Sequence, residues 1–307
     1  MNFSSMEYFT VLAQERSFTR AAERLHITQQ SLSSHIAGME KELGSRLLVR
    51  HIPLELTYAG EVMLKYATSF QKLHNDMQRE FCDISQKQKG ILRVGAATTR
   101  GQMILPKTIA LFQENYPHIS IELTEGSNSE LNQKLLKGTI DLAVAEFPDN
   151  VSGISLSDFY REEHVLVVEK ALFKKCFVFD PEKCRKRLLA GDYSALKKCP
   201  FVLGGIEDID GRIGRDVLKR VGIDQPLVTA TSHNVGMLLK LSLYGIGACI
   251  CPKEIVQSVL TPQQLDSLWV FPLGLKVASR IQFGYSEQSY QWSVIEKFIA
   301  CARTFVC

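Results

Sequence analysis

Thr28, Gln29, Gln30, Ser33 and Ser34 place two carboxamides and three hydroxyls within seven residues. Side chains of these kinds can read nucleic-acid bases. Glutamine can pair with two edge atoms of an adenine, and serine can contact several bases or a phosphate. On a helix that begins after Thr28 they would gather at its N-terminal end. They would face away from Leu32, Ile36, Met39 and Leu43, which recur at i, i+4, i+7 and i+11 as a buried side. The positive end of a helix also favours phosphate. The pattern therefore points to a helix lying in a DNA major groove. A polar surface on a plain helical bundle would satisfy the same spacing.

A base-reading helix needs supports, and the flanking sequence supplies them. Met6, Phe9, Leu12 and Ala13 predict a first helix over about 4–15. Ser17 can cap a second, running to about residue 25, where the small Ala21 and Ala22 would let another helix approach closely. His26 and Ile27 make the turn, Thr28 caps the third helix, and Gly44 stops it after Leu43. Residues 47–57, LLVRHIPLELT, read as a short hairpin or wing, with Leu54 and Leu56 alternating after Pro53. Arg50 on this wing could reach a phosphate or the minor groove, or could simply be solvated. Residues 1–89 hold 11 Lys+Arg against 10 Asp+Glu, so no bulk basic charge argues for DNA. Phosphate attraction must come from local clusters, Arg16, Arg20 and Arg24 or Arg46 and Arg50, and the case rests on geometry.

From about residue 58 to 84 there is no proline, and Met63, Tyr66, Phe70, Leu73 and Met77 fall at spacings of 3, 4, 3 and 4. That is a heptad seam. A lone helix would expose it to water, so the same helix of a second copy is the obvious cover, with the chain's own C-terminal domain as the alternative. The polar run QKQKG at 86–90 reads as a hinge.

The C-terminal two-thirds alternates strand and helix: strand 91–96, helix 103–115, strand 118–124, helix 131–137 and strand 140–145. A second set follows with strands at 165–168, 201–203, 227–230 and 248–251 and helices at 213–221 and 235–243. The chain is expected to return near 268–273, adding a strand at 280–285 and a last helix at 290–305. This order predicts two α/β lobes with largely parallel sheets joined by two crossovers. Residues 174–198 are Lys-rich and receive no role beyond a variable surface segment.

Composition excludes several classes. With 307 residues and 45% apolar content the chain is globular and long enough for two or three domains. No apolar run approaches the roughly 18 residues of a membrane helix. The start, MNFSSMEYF, lacks the pattern of a secretory signal, so a cytoplasmic location is expected and an exported solute-binding protein is disfavoured. The eight cysteines are scattered, without C-x-x-C, as expected of buried free thiols rather than a zinc site, and no metal or cofactor is implied. An enzyme is the rival class, but G-x-S-x-G, the phosphate loop, H-E-x-x-H and G-x-G-x-x-G are all missing.

Residues 1–60 resemble the winged helix-turn-helix of the LysR-type transcriptional regulators. The matching words are Tyr8-Phe9, Ser17-Phe18-Thr19-Arg20-Ala21-Ala22-Glu23, Ile27-Thr28-Gln29, Ser31-Leu32-Ser33, Glu40-Lys41-Glu42-Leu43-Gly44 and Leu56-Thr57. The remainder resembles the effector domain of that family through Leu92-Arg93-Val94-Gly95, Leu105-Pro106, Tyr116-Pro117, Glu125-Gly126, Gly138-Thr139-Ile140-Asp141-Leu142-Ala143, Pro200-Phe201 and Gly245-Ile246-Gly247-Ala248. The wing departs from the family in being one residue shorter, with Ile52-Pro53 where a second arginine is common, and Gln30 and Ser34 stand where many members have Pro and Arg. The resemblance implies an N-terminal all-α winged helix-turn-helix over 1–60, a long linker helix and hinge over 61–89, and a two-lobed, periplasmic-binding-protein-like α/β effector domain over 90–307. Lobe I would be about 90–162 with 268–307, and lobe II about 163–267. It further implies a bacterial regulator that binds double-stranded operator DNA as a homodimer or homotetramer, answers to a small-molecule effector and contacts RNA polymerase. The peroxide-sensing branch of the family carries a cysteine pair in its second lobe. Residues 204–217 here have no cysteine, so thiol sensing is not the leading expectation.

In a two-lobed α/β domain the ligand is expected at the carboxyl ends of strands, where loops meet helix N-termini. The residues expected there are Thr98, Thr99, Arg100, Ser127, Asn128, Glu146, Gly204 and Asn234. Hydroxyls, amides and backbone N–H groups at a helix start, with Arg100 for a carboxylate, suit a small organic or amino acid anion.

Overall fold

The computed structural model describes residues 2–49, 54–85, 89–148, 151–206, 208–273, 278–287 and 290–305. They fall into two compact units, Met1–Lys87 and Gln88–Cys307.

In the first unit, α1 (Phe3–Glu15), α2 (Phe18–Arg24) and α3 (Gln29–Leu43) precede strands β1 (Leu48–Val49) and β2 (Glu55–Leu56) and the long helix α4 (Tyr58–Ile84). The caps fall where the sequence puts them. Ser17 accepts from the Arg20 amide, Thr28 from the Ser31 amide, and Gly44 closes α3 at φ 63°. His26 makes the turn at φ 53°, in the left-handed region. Phe9, Leu12, Ala21, Leu32 and Ile36 are fully buried in one core. Leu43 departs from its expected place on that side: it is 42% exposed.

The wing is clamped from both sides. Glu40 Oε1 accepts from the Leu47 amide at 2.8 Å, and Thr57 Oγ1 donates to the Arg46 carbonyl at 2.7 Å. A Cβ on Gly60 would meet the Leu47 carbonyl oxygen at 2.1 Å, so the first turn of α4 reaches the wing only because residue 60 has no side chain.

The second unit runs β3 (Gly90–Ala96), α5 (Thr98–Asn115), β4 (Ile119–Glu125), α6 (Asn128–Leu136), β5 (Leu142–Ala145), β6 (Ile154–Glu169), α7 (Lys170–Cys176) and α8 (Pro181–Leu189). It continues through β7 (Pro200–Leu203), α9 (Ile209–Arg220), β8 (Leu227–Thr231), α10 (Val235–Leu243), β9 (Ala248–Pro252), α11 (Lys253–Val259), α12 (Pro262–Leu265), β10 (Leu268–Pro272), β11 (Ala278–Ser286) and α13 (Ser293–Arg303). The sheet order is β4-β3-β5-β11-β6-β9-β7-β8, with β10 also paired to β6. β3 pairs in parallel with β4 and β5, and β7 with β8 and β9; pairings to β6 and β11 are antiparallel.

Three sequence readings change here. β6 is 16 residues long, not a short strand at 165–168. Its first part pairs with β11 and its last part with β9 and β10, so it passes from one lobe to the other. Leu268–Pro272 pairs with Val165–Glu169 and so lies with lobe II, whereas lobe I was expected to resume at 268. Helix α5 begins at Thr98, five residues earlier than its apolar periodicity suggests, which brings Thr98, Thr99 and Arg100 into its first turn.

Candidate DNA interface and effector cleft

On α3, Thr28, Gln29, Gln30 and Ser34 are exposed and Ser33 is half-buried, while Leu32, Ile36 and Met39 are buried behind them. A polar tip therefore stands on a packed support. Of the basic residues named with it, Arg20 and Arg24 are tethered to Glu15: Arg24 Nη1 donates to Glu15 Oε1 at 2.8 Å, and Arg20 donates to the Glu15 carbonyl. Arg50 lies outside the described residues. His35, which the sequence did not single out, holds the back of α3 by a 3.0 Å hydrogen bond with Ser5 Oγ and an edge contact with Tyr8.

Along α4, Tyr66, Phe70, Leu73 and Met77 are 57, 42, 62 and 48% exposed, and Phe81 and Ile84 extend the stripe. Met63 does not belong to it. It is 6% exposed and packs in the core of its own unit. Heptad spacing alone cannot tell a residue facing its own domain from one facing a partner.

In the second unit a cleft of about 370 Å³ is lined by Thr98, Thr99, Arg100, Ser127, Asn128, Asp208, Asp210, His233 and Asn234 among others. The starts of α5, α6, α9 and α10 converge on it. Two of these ends are capped by side chains: Ser127 forms a capping box with Glu130, and Asn234 accepts from the Met237 amide. Asp208, at the N-cap of α9, does not accept from that helix; its Oδ2 accepts from the Gly205 amide at 2.9 Å and meets His233 Nδ1 at 2.8 Å. The 18-residue α5 differs: Ala97 stands at its N-cap, with no side chain to accept from its first amides. Across the cleft, Thr99 Oγ1 donates to Asn234 Oδ1 at 3.2 Å and accepts from the Gly236 amide at 3.4 Å, which ties lobe I to lobe II.

Arg100 is not the free anion receptor the sequence suggested. It is 4% exposed and already paired. Its Nε donates to both Glu162 oxygens at 2.9 Å, its Nη2 to Glu162 Oε2 at 2.7 Å, and the same nitrogen reaches Asp210 at 3.3 Å. Tyr160 donates to Glu162 Oε1 at 2.8 Å, and His164 Nε2 lies 3.0 Å from Asp210 Oδ1. Burial opposes charge on Asp210, but Arg100 and His164 outweigh it and hold the carboxyl below its usual range. Burial and the adjacent Glu162 carboxylate push the Tyr160 hydroxyl up, so it remains a donor. This cluster joins α5, β6 and α9 between the lobes.

Glu146 and Gly204 do not line the cleft as the sequence suggested. The Oε2 of Glu146 is buried without a hydrogen-bond partner, and its pKa is raised by burial. Gly204 is a packing residue: a Cβ there would lie 2.8 Å from the Gly211 amide nitrogen, so it lets the end of β7 touch α9 and sets Asp210 within reach of Arg100. Glu162, Asp210 and His164 escaped sequence reading. The usable signal was Tyr160-x-Glu162-x-His164, a period of two that puts three polar side chains on one face of a strand.

The comparisons with known proteins agree in kind. Residues 3–61 match the family described as bacterial regulatory helix-turn-helix protein, lysR family, and residues 85–306 match the LysR substrate binding domain. A probable RuBisCO transcriptional regulator of Trieres chinensis is 35% identical over 164 residues, covering 52% of this chain and 53% of the relative. The HTH-type regulator YcgK of Bacillus subtilis is 34% identical over 171 residues, 55% of this chain and 53% of its own. The chain thus spans about half the length of the curated relatives it matches. Among solved structures, full-length OxyR from Pseudomonas aeruginosa aligns at TM-score 0.71 with 21% identity, over 100% of this chain and 95% of that one. CbnR complexed with its target DNA aligns at 0.64 with 22% identity, over 99% of both. At such identities the likeness is one of fold.

Proposed function

This chain belongs to the LysR family, and from that premise we propose that it is a transcriptional regulator whose operator binding and bending answer to a small anion held between the lobes of its second unit. The α3 tip reads bases through Gln29, Gln30 and Ser33. Two copies, joined along the exposed α4 stripe from Tyr66 to Met77, present two such tips to half-sites one helical turn apart or a multiple of it. An effector that closes the cleft need couple to the DNA state by only about 1–3 kcal/mol to act as a switch.

The observation that carries the anion reading is the uncapped start of α5. Replacing a polar N-cap by alanine costs a helix about 1 kcal/mol. Here that vacancy opens into a 370 Å³ cleft, beside Thr98 and Thr99, whose hydroxyls donate to Glu125 Oε2 and Asn234 Oδ1. A carboxylate seated there would accept from the first amides and draw on the helix dipole. Of the carboxylates lining the same cleft, Asp210 is balanced by Arg100, Glu130 is engaged by the Ser127 amide and hydroxyl, and Asp208 by the Gly205 amide and His233. A thermal-shift series of small carboxylates and inorganic phosphate tests this. At least one should raise the unfolding temperature of the full chain, and Thr99→Val should abolish that rise. A ligand that stabilises both forms equally would count against the site.

A further inference from the structure

Cys176 ends α7 and Cys199 leads into β7, 23 positions apart, and their Sγ atoms lie 3.9 Å apart. The sequence suggests independent buried thiols; the fold instead brings two of them into contact. Cys199 is fully buried in the lobe II core beside Phe173, Leu196 and Phe201, whereas Cys176 sits half-buried at the rim of that cluster. Neither falls within residues 204–217, where the peroxide-sensing branch prompts a search. Cys249 and Cys251 are also neighbours, on β9, but both are wholly buried and offer an oxidant no approach. Cys176 and Cys199 differ in combining contact with one accessible member.

The two sulfurs are also unequal in acidity. Contact with Cys199 outweighs burial and brings Cys176 down to about 7, so much of it is thiolate at neutral pH. The same contact, together with burial, pushes Cys199 up and keeps it protonated. A nucleophilic thiolate thus stands beside a thiol that can resolve its oxidised form. The sulfurs are about 2 Å short of bonding distance, a gap side-chain rotation at the end of a helix can close.

We propose that Cys176 and Cys199 form an oxidisable dithiol that a hydroperoxide converts to a disulfide. The Cys176 thiolate attacks the terminal peroxide oxygen; the O–O bond breaks, and the departing alkoxide takes a proton and leaves as alcohol, or as water if the oxidant is hydrogen peroxide. Cys176 is then a sulfenic acid. The Cys199 sulfur attacks that sulfur, the S–O bond breaks, and the hydroxide leaves as water with the Cys199 proton. The two thiols lose two electrons and two protons, and the peroxide takes them up. The ring so closed contains α8 and most of the Lys-rich segment for which the sequence offered no role. The proposal is independent of the DNA and effector readings.

Peptide mapping of the full chain decides it. The reduced protein is treated with stoichiometric hydrogen peroxide and digested without reductant. The expected product links the peptides of Cys176 and Cys199 and reverts with dithiothreitol, and its rate of formation rises with pH through about 7. Cys176→Ser, at a half-buried position, should keep its Cys199 thiol at the same dose, and Cys199→Ala should trap Cys176 as a dimedone-reactive sulfenic acid. Cys184→Ser should leave the cross-link intact. A wild-type chain in which Cys176 advances to sulfinic acid while Cys199 stays a thiol, or joins Cys184 instead, overturns the proposal. The wild-type map and Cys176→Ser decide this even if the core variant at 199 fails to fold.

Discussion

Arg100→Ala is the sharpest test of the polar cluster between the lobes. In the wild type the guanidinium lies 2.7–2.9 Å from Glu162 and 3.3 Å from Asp210. The side chains of Arg100, Glu162 and Asp210 are 5, 0 and 5% exposed. Removing it leaves Glu162 with only the Tyr160 hydroxyl and Asp210 with only His164, two carboxylates in a buried site without the guanidinium that bridged them. Breaking a buried ion pair from one side costs about 3–5 kcal/mol. For a unit of this size roughly 2–4 °C accompanies each kcal/mol, so unfolding of the second unit should fall by about 6–20 °C. Differential scanning calorimetry of the full chain reads this out. The pH dependence gives a second check. In the wild type Asp210 is held below its ordinary pKa of 3.8, so its stabilisation is complete above that value and lost as pH falls through the lower folded value. In the variant the two stranded carboxyls should be raised, so acid neutralises them and the gap between the proteins should narrow as pH drops. Had Arg100 been the free effector receptor that its sequence position suggested, the variant would lose effector response and keep its stability. A change within about 0.5 kcal/mol at neutral pH, the range of an ordinary surface substitution, would refute the role given to this cluster.

Gly60→Ala must move the Leu47 carbonyl, so it should destabilise the first unit by about 1–3 kcal/mol, read by thermal unfolding; an unchanged transition would mean that wing and helix do not meet as described. Glu146→Gln removes a carboxyl whose pKa is raised above 4.5 by burial, a group that costs stability when ionised. Chain stability at pH 7 should therefore rise by a few tenths to about 1 kcal/mol, and the gain should fade as pH drops through the raised value; a loss at pH 7 would reverse the assignment. On α4, Leu73→Glu should shift the sedimenting species from dimer to monomer, whereas Met63→Ala should cost about 2–5 kcal/mol of unfolding free energy. The reverse pattern would return Met63 to the seam.

Local signals carried the first unit. Thr28 and Gly44 mark the ends of α3 because caps are decided by neighbouring residues, and the proline-free run from Tyr58 to Ile84 is one helix as its pattern suggests. What failed needed distant partners. Arg100 reads as a free cation until Glu162, 62 positions on, is placed against it. Met63 fits a heptad whether it faces a partner or its own core, and the fold decides for the core. The first ten residues of β6, ISLSDFYREE, look like a loop because their polar residues are exposed or half-exposed apart from those bonded in the cluster around Glu162. The apolar pattern marks α5 only from Met103 because the usual N-cap residue is missing before Thr98, which is the same feature that makes the cleft a candidate anion site.

Fluorescence anisotropy of the full chain on a labelled duplex from its own upstream region, over a salt series, tests the central claim directly. Wild type is expected to bind at about 10⁻⁸–10⁻¹¹ M with a clear negative salt slope. Gln29→Ala combined with Ser33→Ala should weaken specific binding by at least 1–3 kcal/mol, roughly the value of one bidentate base contact, and leave binding to unrelated DNA nearly unchanged. Full-strength specific binding by that double variant would contradict the assignment of the α3 tip as the reading face.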